Sequence, residues 1–213
     1  MHGLTLGVNH FLMIVMTSDE KRRLGRRRGF DREEVLDKAM RLFWRNGYEG
    51  VSFQQLTTEL GLAAPSLYAA FGNKADLYRE ALDRYADMRG ASDLSFMVES
   101  LPLAEAVGLL LDGTAKGLVD PAGELGCMLN TGLITSHPEN VDLARELVKR
   151  RSDFRELLTN KLLAWLPLHR AERLSRYLVA VMQGLAIQAR DGYSLEDLQG
   201  VVLEALRSVS RVD

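Results

Sequence analysis

Apolar residues recur at helical spacing along most of the chain, and no stretch alternates as a strand would. Val35, Leu36, Ala39, Leu42 and Phe43 share one face of a first helix, with Arg32, Lys38, Arg41 and Arg45 mostly off it. Asp31 and Glu34 are placed to cap that helix, and Gly47 ends it. Ser52, with Gln55 three residues on, opens a short second helix that carries Leu56 and Leu60 inward, and Gly61 supplies a left-handed stop. Gly61, Leu62 and Ala63 form a link of the length a helix-turn-helix needs. Pro65 sits in the first turn of the third helix, where its missing N–H costs nothing. Leu67 and Phe71 then face inward, which leaves Ala64, Ser66, Tyr68 and Ala69 on the outer side. Asn73 and Asp76 cap a fourth helix ending near Arg89, with Leu77, Ala81, Leu82 and Tyr85 as its stripe and Gly90 as its stop.

The helical rhythm continues beyond Gly90. After Pro102, one face carries Leu103, Val107, Leu110 and Leu118, and the helix ends near Pro121. Gly108, Gly113 and Gly117 interrupt it, which implies either close helix contact or a cavity wall. Ser136 with Glu139 is expected to cap a long helix running through Leu143, Leu147, Phe154, Leu158 and Leu162 to Trp165, with Pro138 in its first turn. Its run Lys149, Arg150 and Arg151 reads as a solvated face with a Glu146 to Arg150 pair rather than a second nucleic-acid patch.

The last two helices, Arg173 to Ala189 and the one capped by Ser194, are apolar on more than one stripe. Leu178, Val181, Leu185, Leu195, Leu198, Val202 and Leu206 are therefore expected to pair with a second copy in a four-helix, two-fold seam.

Charge adds to this picture. The 213 residues carry a net charge of -2, yet Asp19 to Arg89 holds 14 basic and 12 acidic residues against 13 and 17 elsewhere. Six of the eight residues from Lys21 to Arg28 are Lys or Arg. Directly before a helix-turn-helix, such an arm, with Arg26, Arg27 and Arg28 foremost, suits phosphates or a narrow minor groove. The apolar run Phe11 to Met16 is far shorter than the ~18 residues of a membrane span, and no Lys or Arg precedes it as a secretory signal would require. Residues 1–18 are read as a disordered or mis-called extension with translation starting at Met13 or Met16, which N-terminal mass analysis decides.

The composite Phe43-Trp44, Gly47-Tyr48, Gly50-Val51-Ser52, Leu56, Leu60-Gly61-Leu62, Pro65-Ser66-Leu67-Tyr68, Phe71, Lys74 and Leu77 resembles the tetracycline-repressor-like (TetR) family of bacterial transcription regulators. The motif covers roughly the first third of the chain. The resemblance implies an all-α fold: an N-terminal three-helix DNA-binding bundle with a helix-turn-helix and a larger C-terminal helical domain for ligand binding and dimerisation. It divides the chain into residues 19–74 (reading head with arm), 75–90 (connecting helix) and 91–213 (effector-binding and dimerising body). Positions matching the family's DNA contacts are Ser52, Gln54, Ala64, Pro65, Ser66, Tyr68 and Lys74, of which Tyr68 and Lys74 suit phosphates. For Tyr68 the alternative is packing beside Phe71. Ala63 departs from the Ser or Thr usual at the cap before the recognition helix, a loss of ~1 kcal/mol. An apolar effector pocket is implied, with Phe96, Leu110, Met128, Thr131, Phe154, Trp165, Met182 and Gln183 as wall candidates, although an aromatic or Met at helical spacing is usually plain core.

The expected partners are a palindromic double-stranded operator, a small effector and a second copy of the chain, with no membrane and no cofactor. Lone Cys127 excludes an intrachain disulfide, fits a cytoplasmic home and reads as a buried inert thiol. His2, His10, His137 and His169 are too scattered to suggest a metal site, and no phosphate loop, nucleophile elbow or zinc-hydrolase motif occurs. No catalytic residue is assigned. Two other classes stay open: a helical ligand-binding or interaction module without DNA affinity, and an all-helical enzyme.

Overall fold

The computed structural model describes residues 30–90 and 93–209. Among them nine α-helices succeed one another without a strand: α1 Arg32–Asn46, α2 Phe53–Leu60, α3 Ala64–Phe71, α4 Lys74–Arg89, α5 Leu103–Leu118, α6 Met128–Thr131, α7 Val141–Leu162, α8 Leu168–Arg190 and α9 Leu195–Val209. The front of this body is set by local signals. Ser52 Oγ accepts the Gln55 N–H at 3.0 Å, and Gly61 leaves α2 at φ 64° while its N–H returns to the last turn. Asn73 and Asp76 form a reciprocal capping box that starts α4.

α1 packs chiefly on α4 through an aromatic cluster. Phe43 and Tyr48 both meet Tyr78 edge-on with centroids 5.0 Å apart, and Trp44 meets Tyr85 at 4.8 Å. The segment between α5 and α6 lies against this cluster. A Cβ on Gly123 would stand 2.7 Å from the Trp44 ring, so only glycine allows the approach.

In the back, α5 packs on α8 and α9, and α7 packs on α8. This arrangement corrects the expected seam. Leu178, Leu185 and Leu198 are wholly buried within the single chain and Val202 nearly so, because α5 and α7 cover faces that sequence alone left unpartnered. Val181, Leu195 and Leu206 are half-covered against the same core. The large apolar residues of α8 and α9 that remain exposed are Leu168, Tyr177, Ile187 and Leu203.

Helix boundaries differ in three further places. Ser136 caps nothing in α7: Pro138–Asn140 is a 3-10 turn whose Glu139 N–H reaches His137 Nδ1 at 3.4 Å, and α7 begins afterwards at Val141. α7 stops at Leu162, before Trp165, as the Ala164 and Trp165 amides tighten onto the carbonyls of Lys161 and Leu162. Pro167 then starts α8 five residues ahead of Arg173, its carbonyl accepting the first helical N–H groups. The four-residue α6 went unforeseen; its cap is Cys127 Sγ, which accepts the Asn130 N–H at 3.4 Å.

Candidate functional site

α2 and α3 present the outer surface that their phases require. Leu56, Leu60, Leu67 and Phe71 are buried, while Ser52, Gln54, Pro65, Ser66 and Tyr68 are exposed and Ala64 is half-buried. Tyr68 is 51 % exposed, with its ring stacked on Phe53 at 4.3 Å and 16°. The expected alternative, packing beside Phe71, is therefore replaced by a shelf that joins the start of α2 to α3. Ala63 offers no side-chain bond to the start of α3.

Lys74 differs from its expected setting. Its ammonium lies over the Tyr48 ring at 4.1 Å, and burial lowers its pKa while the Glu49 charge opposes the shift. Arg26, Arg27 and Arg28, and the extension before them, lie outside the described residues.

Arg32 is a residue that helical phase alone passed over. Its guanidinium holds both Glu80 oxygens at 2.6 and 2.7 Å and lies over the Phe71 ring at 4.4 Å, latching α1, α3 and α4 together.

A second set of bonds joins α1 to the back of the molecule. Buried Trp44 Nε1 donates to Gly126 O at 3.1 Å, and Arg41 donates to Ala122 O at 2.9 Å. Arg45 grips Glu124 bidentately at 2.8 and 2.9 Å, a bond that raises its pKa. From α8, Arg190 donates to the carbonyls of Trp44 and Arg45, the last turn of α1. Glu49 accepts from His137 N–H and Asn140, and these bonds hold its carboxyl low although burial opposes them.

Behind α4 lies a cavity of ≈ 780 Å³. Phe96, Leu110, Phe154 and Met182 line it, as expected. Four candidates do not. Met128 is buried in the core, and the Thr131 hydroxyl donates to Cys127 O at 2.7 Å. Trp165 Nε1 donates to Leu101 O at 2.9 Å, and Gln183 lines a smaller cleft of ≈ 400 Å³ with Ile134, Val148 and Ile187. Helical spacing could not separate these faces, since each depends on which neighbour arrives.

Cys127, expected to be buried, is half-buried and lines the cavity. The basic run on α7 also departs from its expected solvated face. Glu146 pairs with Arg79 of α4 at 2.7 Å and Arg150 with Asp83 of α4 at 2.6 Å, so both ends of the foreseen i,i+4 pair are taken across helices. Lys149 does stay at the surface, paired with Asp153. Among the described residues no group of three His, Cys, Asp or Glu side chains could hold a metal ion, and no helix is long and apolar enough to cross a membrane.

Comparison with known proteins agrees with this geometry. Residues 35–81 match the family described as bacterial regulatory proteins, tetR family. The chain is 34 % identical over 195 residues to the HTH-type transcriptional repressor ComR of Escherichia coli, covering 88 % of this chain and 92 % of that one. It is 30 % identical over 184 residues to the repressor BdcR of the same organism, covering 86 % and 91 %. Among solved structures it is similar to a cysteine mutant of the TetR family transcriptional regulator CifR complexed with 26-bp double-strand operator DNA. That likeness is 35 % in sequence, covers 85 % of this chain and 98 % of that one, and has a TM-score of 0.76.

Proposed function

The chain belongs to the tetR family of bacterial regulatory proteins, and from that premise we propose that it is a homodimeric transcriptional repressor of a near-palindromic operator, released when a small effector fills the cavity behind α4. The observation that carries the reading is the helix-turn-helix itself, whose outward side chains Gln54, Pro65, Ser66 and Tyr68 stand on a packed inner face. Support also comes from the operator DNA held by the CifR mutant, a relative of 35 % identity.

In this reading two α3 helices enter successive major grooves on one side of the duplex. Tyr68, braced on Phe53, holds a phosphate; Gln54 suits an adenine, Ser66 either partner, and Ala64 or Pro65 a thymine methyl. Long hydrogen-bonding side chains are few here, so specificity leans on apolar contacts, DNA shape and the arm Arg26 to Arg28. Lys74 serves a phosphate only by leaving the Tyr48 ring. Residues 19–74 form the head, 75–90 the connector and 91–213 the body, which dimerises through the exposed side of α8 and α9 around Tyr177, Ile187 and Leu203. The body is cytoplasmic, as a partner of chromosomal DNA must be in a bacterium.

Effector occupancy reaches the head by two routes. Arg79 and Arg150 tie α4 to α7 beside the cavity, and the 120–127 segment ties the cavity edge at Cys127 to Trp44 and Arg45 of α1. A gel-shift titration on duplexes from the chain's own promoter region tests the proposal. The expected result is a complex on a near-palindrome that weakens as salt rises; equal affinity for scrambled duplexes refutes it.

A further inference from the structure

Of the five charged residues that line the ≈ 780 Å³ cavity, Arg89, Arg150 and Asp153 are ion-paired while Arg151 and Asp93 are not, and the cation of these two points to the chemistry of the occupant. Arg150 is bound to Asp83 at 2.6 Å, and Arg89 faces Asp120 at 3.5 Å. Of the lining acids, Asp153 is held by Lys149 at 2.6 Å and Asp93 accepts the Ser95 N–H at 2.9 Å. Arg151 alone among these arginines has no carboxylate partner among the described residues.

The fastening of Arg151 is one-sided. Its Nη1 donates to Leu129 O at 2.9 Å and Gly132 O at 3.0 Å, the carbonyls at the end of α6. No hydrogen bond within the described residues uses Nε or Nη2, and neither atom is sealed from solvent. The guanidinium, which lines both this cavity and the ≈ 400 Å³ cleft beside it, is thus aimed by two neutral oxygens, while the edge that matches a carboxylate oxygen for oxygen stays open. Burial depresses its pKa, and the neighbouring groups that act on it, Tyr78 and Cys127, are not carboxylates. Much of the rest of the wall is oily, with Leu110, Leu118, Phe154, Leu157 and Met182 beside the uncharged polar groups of Tyr85, Thr114 and Asn130.

We propose that the cavity takes an amphiphilic monocarboxylate, its carboxylate held by the Nε and Nη2 edge of Arg151 and its apolar body lying along Leu110, Phe154 and Met182. The inference rests on the reading of this cavity as the effector site and narrows that site to one ligand class.

Calorimetric titration of the full chain with octanoate and with octan-1-ol, which share a tail and differ in head group, tests it. The natural chain binds octanoate at least about ten-fold more tightly than octan-1-ol, the discrimination expected of a charge-assisted pair. Arg151→Gln removes that preference and leaves octan-1-ol binding unchanged, which also reports that the cavity has kept its shape. Arg150→Gln, whose guanidinium is committed to Asp83, keeps the preference. Gly113→Trp places an indole in the cavity from a position with open space beyond its Cα and weakens binding of both. Equal affinity for the two ligands, equal loss of both in Arg151→Gln, binding of neither, or undiminished binding to Gly113→Trp each overturns the proposal. Operator release is read separately. Arg151-dependent octanoate binding without release keeps the ligand class and removes the effector role, whereas failure to bind octanoate removes the ligand class and leaves operator binding untouched.

Discussion

The front helices α1 to α4 and the back helices α5 to α9 are held by different kinds of information. At the front, α2 and α4 are started or stopped by residues next to them in sequence: Ser52 for α2, Gly61 after it, and the Asn73 and Asp76 box for α4. At the back, α5 and α8 begin on prolines with no side-chain cap, and the apolar faces of α5, α8 and α9 are defined by one another. The lesson is mechanical as well. On the proposed reading, the bonds that cross from the front helices to the back, through Trp44, Arg45, Arg79 and Arg190, carry effector occupancy to the helix-turn-helix.

The harshest way to break this division is Trp44→Ala. It removes a fully buried side chain and its bond to Gly126, and is expected to cost about 3–5 kcal/mol in urea unfolding. Loss of that size shows that the aromatic cluster joins front and back into one cooperative unit. Leu178→Ala comes next, at about 2–5 kcal/mol for a wholly buried leucine. As Leu178 packs inside its own chain, the same loss is expected when the unfolding midpoint is compared across protein concentrations; a loss confined to dimer dissociation would restore the residue to the seam.

Those two substitutions mark where sequence reading succeeds and where it stops. The caps and glycine stops of α2 to α4 were legible because their partners lie within four residues, and the outward phase of Tyr68 followed from Leu67 and Phe71. Leu178 and Leu198 were legible as apolar, but the side they present is fixed by α5, some 70 to 90 residues earlier in the chain. The Glu146 to Arg150 pair satisfied helical spacing and lost to Arg79 and Asp83, since an acid or base on a neighbouring helix can offer better geometry. α6 escaped because four residues carry no period, and its cap is a cysteine, a residue seldom read as one. Four of the eight expected wall residues, Phe96, Leu110, Phe154 and Met182, line the cavity, whereas Arg151, on which its proposed chemistry rests, reads from the sequence as part of a solvated face.

Smaller effects sharpen the comparison. Asn73→Ala removes the acceptor for the Ala75 and Asp76 amides and is expected to cost ~1 kcal/mol in thermal unfolding, with little change in the body. The smallest effect is in pH. Arg79 holds Glu146 below its ordinary pKa of 4.5, so the stabilisation from this pair is present above that value and fades as pH falls through the lower folded pKa. Glu146→Gln should therefore flatten the acid limb of the stability profile and leave the neutral range nearly unchanged, as the pair is partly exposed.

Operator binding by Tyr68→Ala, followed by fluorescence anisotropy beside the natural chain with thermal unfolding recorded on both, tests the central claim most directly. A complex about ten-fold weaker with an unchanged melting temperature is expected, because the ring is half exposed and, on the proposed reading, meets the duplex. Unchanged operator affinity, or a loss that merely follows a lower melting temperature, would contradict it.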